Sequence, residues 1–191
     1  MESLVVEDCG SLQELFELEV QEVTETRAVT VTQLKKLFMR RLPKLKRVWN
    51  KDPHGTFSFP NLQEIIVGEC ESLKSLFPTS VARCLQQLEE LRIFECGIEE
   101  IIEQEEGVKE HARFVFPKLT LLILRQLPKL KWLYRGVHTL EWPLLESLEV
   151  SGSNEIQIFA SKNYRIQEQD EQRQLKTSIQ QPLFLVEEVR D

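Results

Sequence analysis

Long apolar runs are missing from this chain. The longest, Leu121 to Leu124 and Leu183 to Val186, span four residues, whereas a helix needs about 20 to cross a bilayer. The first residues carry Glu2, Glu7, Asp8, Glu14, Glu17 and Glu19, which leaves no room for the apolar core of a secretion signal. Glycine is scarce, at seven in 191 residues, and no G-x-x-x-x-G-K-[ST] loop is available to cradle a phosphate. Basic residues are in deficit, 24 against 31 acidic for a net charge of -7. That argues against a nucleic-acid partner, which calls for a basic stripe. The three histidines, His54, His111 and His138, share no sequence phase, so a zinc site built on cysteine would lack its third and fourth ligands. No H-E-x-x-H, G-x-S-x-G or Cys/His constellation is present, and the many carboxylates fall on solvated stretches where nothing would raise their pKa. These absences predict a chain that is not an enzyme and holds no metal or cofactor. None of Asn50, Asn61, Asn154 and Asn163 opens a glycosylation sequon. With 41% hydrophobic and 29% charged residues the composition is that of a folded chain.

What is abundant is leucine in a fixed pattern. L-x-x-L-x-L reads as Leu34, Leu37, Met39; Leu62, Ile65, Val67; Leu88, Leu91, Ile93; Leu119, Leu122, Leu124; and Leu145, Leu148, Val150, with a partial copy at Leu4 and Val6. The central residues lie 33, 28, 26, 31 and 26 positions apart. Three residues past each copy stands Cys9, Leu42, Cys70, Cys96, Leu127 or Ser153. An apolar pair follows: Leu12 and Leu15, Leu45 and Val48, Leu73 and Leu76, Ile98 and Ile101, Leu130 and Leu133, Ile156 and Phe159. Phe59-Pro60, Phe116-Pro117 and Trp142-Pro143 precede three copies. Several columns repeating together at this period identify leucine-rich repeats. The fold expected is an α/β leucine-rich repeat solenoid, with a parallel β-sheet on the concave face and short helices and irregular loops on the convex face. Alternation along a strand sends Leu91 and Ile93 inward while Arg92 and Phe94 face out.

About six units, the first partial, fill residues 1–160. The clearest convex helix is expected over Thr79 to Gln87, capped by Thr79 or Ser80, with Val81, Cys84, Leu85 and Leu88 on its buried face. Residues 50–58 read as a turn-rich loop, and the acidic stretch 99–110 as a solvated loop or frayed helix. Residues 161–181 read as a polar connector, and 182–191 as the start of a further, truncated repeat. A solenoid unit buries its apolar face only against its neighbours, so free ends need capping units. Neither end carries one, which predicts a fragment of a longer solenoid or a gene remnant, prone to self-association through its strand edges.

Of the four cysteines, Cys9, Cys70 and Cys96 share one phase. Neighbouring strands sit ~4.8 Å apart, so Cys70 and Cys96 could approach bonding distance. The pattern, however, takes Asn or Cys there to satisfy backbone groups in the turn leaving the strand, and free thiols are expected. Thiols in register without sequons suit a reducing compartment, so the expected localisation is cytoplasmic.

Leu42 to Trp49 (L-P-K-L-K-R-V-W) is echoed by Leu127 to Tyr134 (L-P-K-L-K-W-L-Y), and Cys9 to Phe16 by Cys70 to Phe77. Together with F-P-x-L before the strand, residues 2–160 resemble the C-terminal leucine-rich repeats of plant nucleotide-binding (NB-ARC) disease resistance proteins of the coiled-coil type. The Asn and G-x-I-P features usual in extracellular plant repeats are absent. The resemblance implies recognition of a pathogen effector or a guarded host protein, and restraint of the parent receptor's nucleotide-binding domain. ATP or ADP would bind only in that domain, which this chain lacks. The alternative is a substrate-recruiting adaptor of a ubiquitin ligase; an upstream phosphate-binding loop or an upstream F-box would separate the two.

The register gives three outward columns: Val5, Phe38, Ile66, Arg92, Ile123, Glu149; then Glu7, Arg40, Gly68, Phe94, Arg125, Ser151; then Asp8, Arg41, Glu69, Glu95, Gln126, Gly152. Apolar residues beside arginines are the usual makings of a protein-binding hot spot. The candidate partner site is therefore Phe38, Arg40, Arg41, Ile66, Arg92, Phe94, Ile123 and Arg125. The lysines of the L-P-K-L-K stretches are expected to be solvated, and Trp49, Trp132 and Trp142 to be packing residues.

Overall fold

The structure, a computed structural model, describes residues 2–16, 30–31, 33–49, 57–103, 112–135, 138–152, 175–177 and 185–186. In chain order the elements begin β1 (Ser3–Glu7), β2 (Glu14–Phe16), β3 (Thr30–Val31), β4 (Lys36–Arg40), β5 (Arg47–Trp49) and β6 (Phe57–Ser58). They continue β7 (Glu64–Gly68), β8 (Ser75–Pro78), α1 (Thr79–Cys84), β9 (Glu90–Phe94), β10 (Glu100–Glu103) and β11 (Ala112–Val115). The last are β12 (Leu121–Arg125), β13 (Trp132–Tyr134), β14 (His138–Glu141), β15 (Ser147–Ser151), β16 (Leu175–Thr177) and β17 (Leu185–Val186).

The six L-x-x-L-x-L copies supply the first six strands of one seven-stranded sheet in the order β1-β4-β7-β9-β12-β15-β16, parallel from β1 to β15. Leu4, Leu37, Ile65, Leu91, Leu122 and Leu148 stand in one register row, and Val6, Met39, Val67, Ile93, Leu124 and Val150 in another. From Leu37 to Leu148 the first row is buried; Leu4, Val6 and Val150 pack half-buried against the same core. The leucine spine thus lies under a parallel sheet because a period-two strand must hide alternate side chains, and neighbouring repeats hide the same ones. At the last repeats the ladder changes sense: β16 pairs antiparallel with β15, and β17 antiparallel with β14.

Each of the first five main strands ends in a non-glycine residue in the left-handed region: Asp8, Arg41, Glu69, Glu95 and Gln126, with φ between 50° and 56°. Gly152 occupies the equivalent place at 68°. Such a conformation costs a side-chain-bearing residue roughly 1–2 kcal/mol. What offsets it is one more rung of the ladder, since each of the five N–H groups donates to the neighbouring repeat, as from Arg41 to the Gly68 carbonyl at 3.2 Å and from Gln126 to the Ser151 carbonyl at 2.7 Å. One residue on, the thiols of Cys70 and Cys96 donate to the Gly68 and Phe94 carbonyls, both at 3.2 Å. Cysteine in this column does satisfy the turn.

The return side departs from the expected helices. Among the described residues α1 is the one helix, and the other return segments are short strands paired with one another: β2 with β5, β8 and β13 on either side of β10, β3 with β6, and β11 with β14. The apolar pairs three residues apart explain why. The first member closes a turn, as in Leu45 N–H to the Leu42 carbonyl (3.1 Å) or Leu73 N–H to the Cys70 carbonyl (3.3 Å). The second is the inward residue of the strand that follows, such as Val48 or Leu76. A spacing of three is here turn plus strand, not helical periodicity. The acidic stretch is likewise a strand where it is described: Ile101 and Ile102 in β10 are buried, and residues 104–111 lie outside the described set.

Helix α1 stops at Cys84, short of Gln87, because Leu85 to Leu88 forms the turn that Phe59-Pro60-Asn61-Leu62 forms one repeat earlier. Its first turn has no side-chain cap; the Thr79 hydroxyl donates instead to the Glu103 carbonyl at 3.0 Å. Cys84 is half-buried rather than buried, since the buried face is Thr79, Val81 and Ala82. Of the loop expected at 50–58, residues 57–58 are described and form β6; of the connector and final repeat, only β16 and β17 are.

Aromatic side chains fill the space between the two sides. Trp49 packs at 6.0 Å from Phe16, 5.8 Å from Phe59 and 5.2 Å from Phe77, ring centre to ring centre. A second cluster joins Phe114, Tyr134 and His138. Trp49 and Trp142 are buried, which fits their reading as packing residues.

Candidate functional site

The open face of the main sheet carries the outward columns in the order the alternation requires. Val5, Phe38, Ile66, Arg92, Ile123 and Glu149 are register partners across six strands. Val5 is 60% exposed; Phe38, Ile66, Arg92 and Ile123 are half-buried; Glu149 is buried. Over the first three strands the column sinks into a shallow depression of about 230 Å³, lined by Ser3, Val5, Lys36, Leu37, Phe38, Glu64 and Ile66. Lys36 and Glu64 form an ion pair across its rim at 2.7 Å, and the Glu64 carboxylate raises the Lys36 pKa. Neither residue is in the sequence-derived site. The repeat register would have found them, since Ser3, Lys36, Glu64 and Glu90 form the column just before the central leucines.

The second column, Glu7, Arg40, Gly68, Phe94, Arg125 and Ser151, has a different character. The Phe94 ring packs directly against Gly68: a Cβ at residue 68 would sit 2.0 Å from it. The Arg40 guanidinium lies 6.0 Å from the ring centre, completing a row of arginine, glycine and aromatic across three strands. Glycine is needed here for close approach rather than for its backbone freedom.

The arginines of the candidate site are held by carboxylates. Arg40 donates to Glu69 at 2.6 Å, and Arg125 to both oxygens of Glu149 at 2.6 and 2.8 Å. Arg41 makes a two-pronged contact with Asp8, and Arg92 donates to Glu90 at 2.7 Å. Hydrogen bonding to Arg41 holds the Asp8 carboxyl below its ordinary value, while the same bond raises the Arg41 pKa; Glu149 raises that of Arg125. Bidentate pairs fix a guanidinium in direction as well as in place. Arg92, between Ile66 and Ile123 in the register, keeps a buried Nε with no hydrogen-bond partner among the described residues.

The structure therefore assembles all eight sequence-derived residues on one face but divides them. Phe38 and Ile66 form an apolar strip with Val5, and Arg92 separates that strip from Ile123. Arg40, Arg41 and Arg125 form a prearranged charged border, and Phe94 belongs to the border's packing. Other candidates gather nothing comparable. Among the described residues no group of three or more His, Cys, Asp or Glu could hold a metal, and no helix is long and apolar enough to cross a membrane. His54 and His111 lie outside the described residues; His138 is buried against Tyr134, ring centres 5.3 Å apart. Lys44, Lys46, Lys129 and Lys131 are exposed on the flank.

Residues 1–97, just over half of the chain, match the family described as plant disease resistance protein RPS2-like, leucine-rich repeats. No curated protein and no solved structure matches the chain.

Proposed function

The chain belongs to the RPS2-like leucine-rich repeat family of plant disease resistance proteins, and from that footing we propose that its open sheet face is the surface by which a resistance receptor recognises a protein. Such a region is a protein-interaction module. The finer reading is that the partner is a pathogen effector or a guarded host protein, with the receptor's own nucleotide-binding domain as a second client of the same repeats. ATP or ADP would be bound by that domain and not by these residues. The free thiols suit a cytoplasmic setting.

One observation carries the reading. Val5, Phe38 and Ile66 expose apolar surface in a depression of about 230 Å³, beside arginines already fixed by neighbouring carboxylates. An apolar centre with an ordered polar border is the anatomy of a recognition surface. Because the arginines are prearranged, a partner would meet them without a further ordering cost.

The test is a triple substitution, Val5→Asp, Phe38→Asp and Ile66→Asp, introduced into the full receptor and expressed in leaf tissue. Loss of the partner-triggered defence response, with circular dichroism and melting temperature of the purified chain unchanged, is the expected result. An undiminished response would overturn the assignment of this face.

A further inference from the structure

Cys70 and Cys96 stand at the same place in neighbouring repeats, each two residues past a register pair, Gly68 and Phe94. The turn that carries Cys96 is one residue shorter than the turn that carries Cys70: Cys96-Gly97-Ile98 fills the place of Cys70-Glu71-Ser72-Leu73. Lacking a residue, the later turn cannot close on itself as the earlier one does through Leu73 N–H and the Cys70 carbonyl. Gly97 instead donates across to the Cys70 carbonyl at 3.1 Å. The two turns are so close that a Cβ on Gly97 would lie 1.9 Å from the Glu71 carbonyl oxygen. Both thiols are buried, 0% and 3% exposed; they donate to the Gly68 and Phe94 carbonyls at 3.2 Å and lie within interaction range of each other.

We propose that Cys70 and Cys96 are an oxidation site: hydrogen peroxide, a two-electron oxidant, converts them to a disulfide that staples two neighbouring repeats. The Cys70 sulfur attacks the peroxide oxygen, giving a sulfenic acid and one water. The Cys96 sulfur then displaces that hydroxyl, forming the S–S bond and a second water. Two thiols are oxidised, one peroxide is reduced, and both thiol protons leave in the water. Roles within the pair follow from the mutual contact. The interaction with the Cys96 thiol lowers the Cys70 pKa, making it the first to ionise, while the same interaction and burial push Cys96 up. Adjacent strands separated by ~4.8 Å fall within the Cα span that disulfides tolerate.

Cys9 is exposed and separated from the pair by Leu42 in the column, and Cys84 lies in α1. Substituting both leaves the pair alone. The test uses the full chain carrying Cys9→Ser and Cys84→Ser, treated with hydrogen peroxide while folded and, separately, unfolded in urea. In the folded sample we expect an intact mass lower by about 2 Da, a linked 70–96 peptide at every protein concentration, and no addition of oxygen. Closing a loop of this length should raise the thermal midpoint by roughly 5–10 °C over the reduced form. Cross-linking only in the unfolded sample, overoxidation to sulfinic acid without a link, or a lowered midpoint in the linked form would each overturn the proposal.

Discussion

On the side of the open face, every repeat from Ser3 to Ser151 gives five residues to one continuous ladder. On the return side the same repeats divide among separate short sheets, β2–β5, β8–β10–β13, β3–β6 and β11–β14, interrupted once by α1 among the described residues. The two sides share a core yet obey different constraints. A strand one residue out of register would turn its leucines to solvent, so the motif tolerates no insertion. A return segment needs only one inward side chain and a closed turn, so it absorbs the variation between 26 and 33 residues. Variable spacing in a repeat protein thus locates the side where structure is negotiated locally.

The largest effect should come from testing that difference in the core itself. Ile65→Ala empties a fully buried place in the central row and should cost about 2–5 kcal/mol by urea denaturation. Leu76→Ala, equally buried on the return side, should fall in the same range if both sides share one core. A cost below about 1 kcal/mol would show that the return sheets are held loosely.

A smaller change is expected at Gly68. Gly68→Ala would push the Phe94 ring off the sheet and cost roughly 1–3 kcal/mol. The penalty should largely vanish in Gly68→Ala with Phe94→Ala, because the two residues meet only through that contact; additive costs in the double-mutant cycle would refute the stacked row.

Smaller still, and opposite in sign, is Glu95→Gly. Glu95 is exposed at φ 54°, so glycine should stabilise by about 0.5–1 kcal/mol through relief of left-handed strain, less its own entropy cost. A destabilised variant would mean that the Glu95 side chain contributes more than the turn costs.

The smallest effect is electrostatic. Because Asp8 is held below its ordinary value of 3.8 by Arg41, its contribution is fully present above that value. It is lost as pH falls through the lower folded value. The melting-temperature difference between the chain and Asp8→Asn should therefore be present at pH 6 and fade as the solution is acidified. Since the pair is solvent-exposed, high salt should shrink it; a difference that grew in acid would contradict the pairing.

Legibility followed the same division between the two sides. The strand rows, and hence the membership of each outward column, could be read residue by residue from Leu4 to Val150. The left-handed turn at the third column is not visible in the sequence, because Asp8, Arg41, Glu69, Glu95 and Gln126 include none of the usual glycine signal. The sequence pattern extends helix α1 past its end at Cys84, since Leu85 and Leu88 fit a helical face as well as a turn. The paired state of the site's arginines was hidden as well.

The period of the leucines, the inward rows and the parallel stacking were determined by the chain's own pattern, because alternate burial is a local property that each repeat states for itself. The seat of Phe94 on Gly68, the fixing of Arg40, Arg41 and Arg125 by Glu69, Asp8 and Glu149, and the contact of Cys70 with Cys96 were decided only on stacking. Their partners lie 24 to 33 residues away along the chain. No local signal says which way a long side chain will lean once a neighbour stands ~4.8 Å beside it.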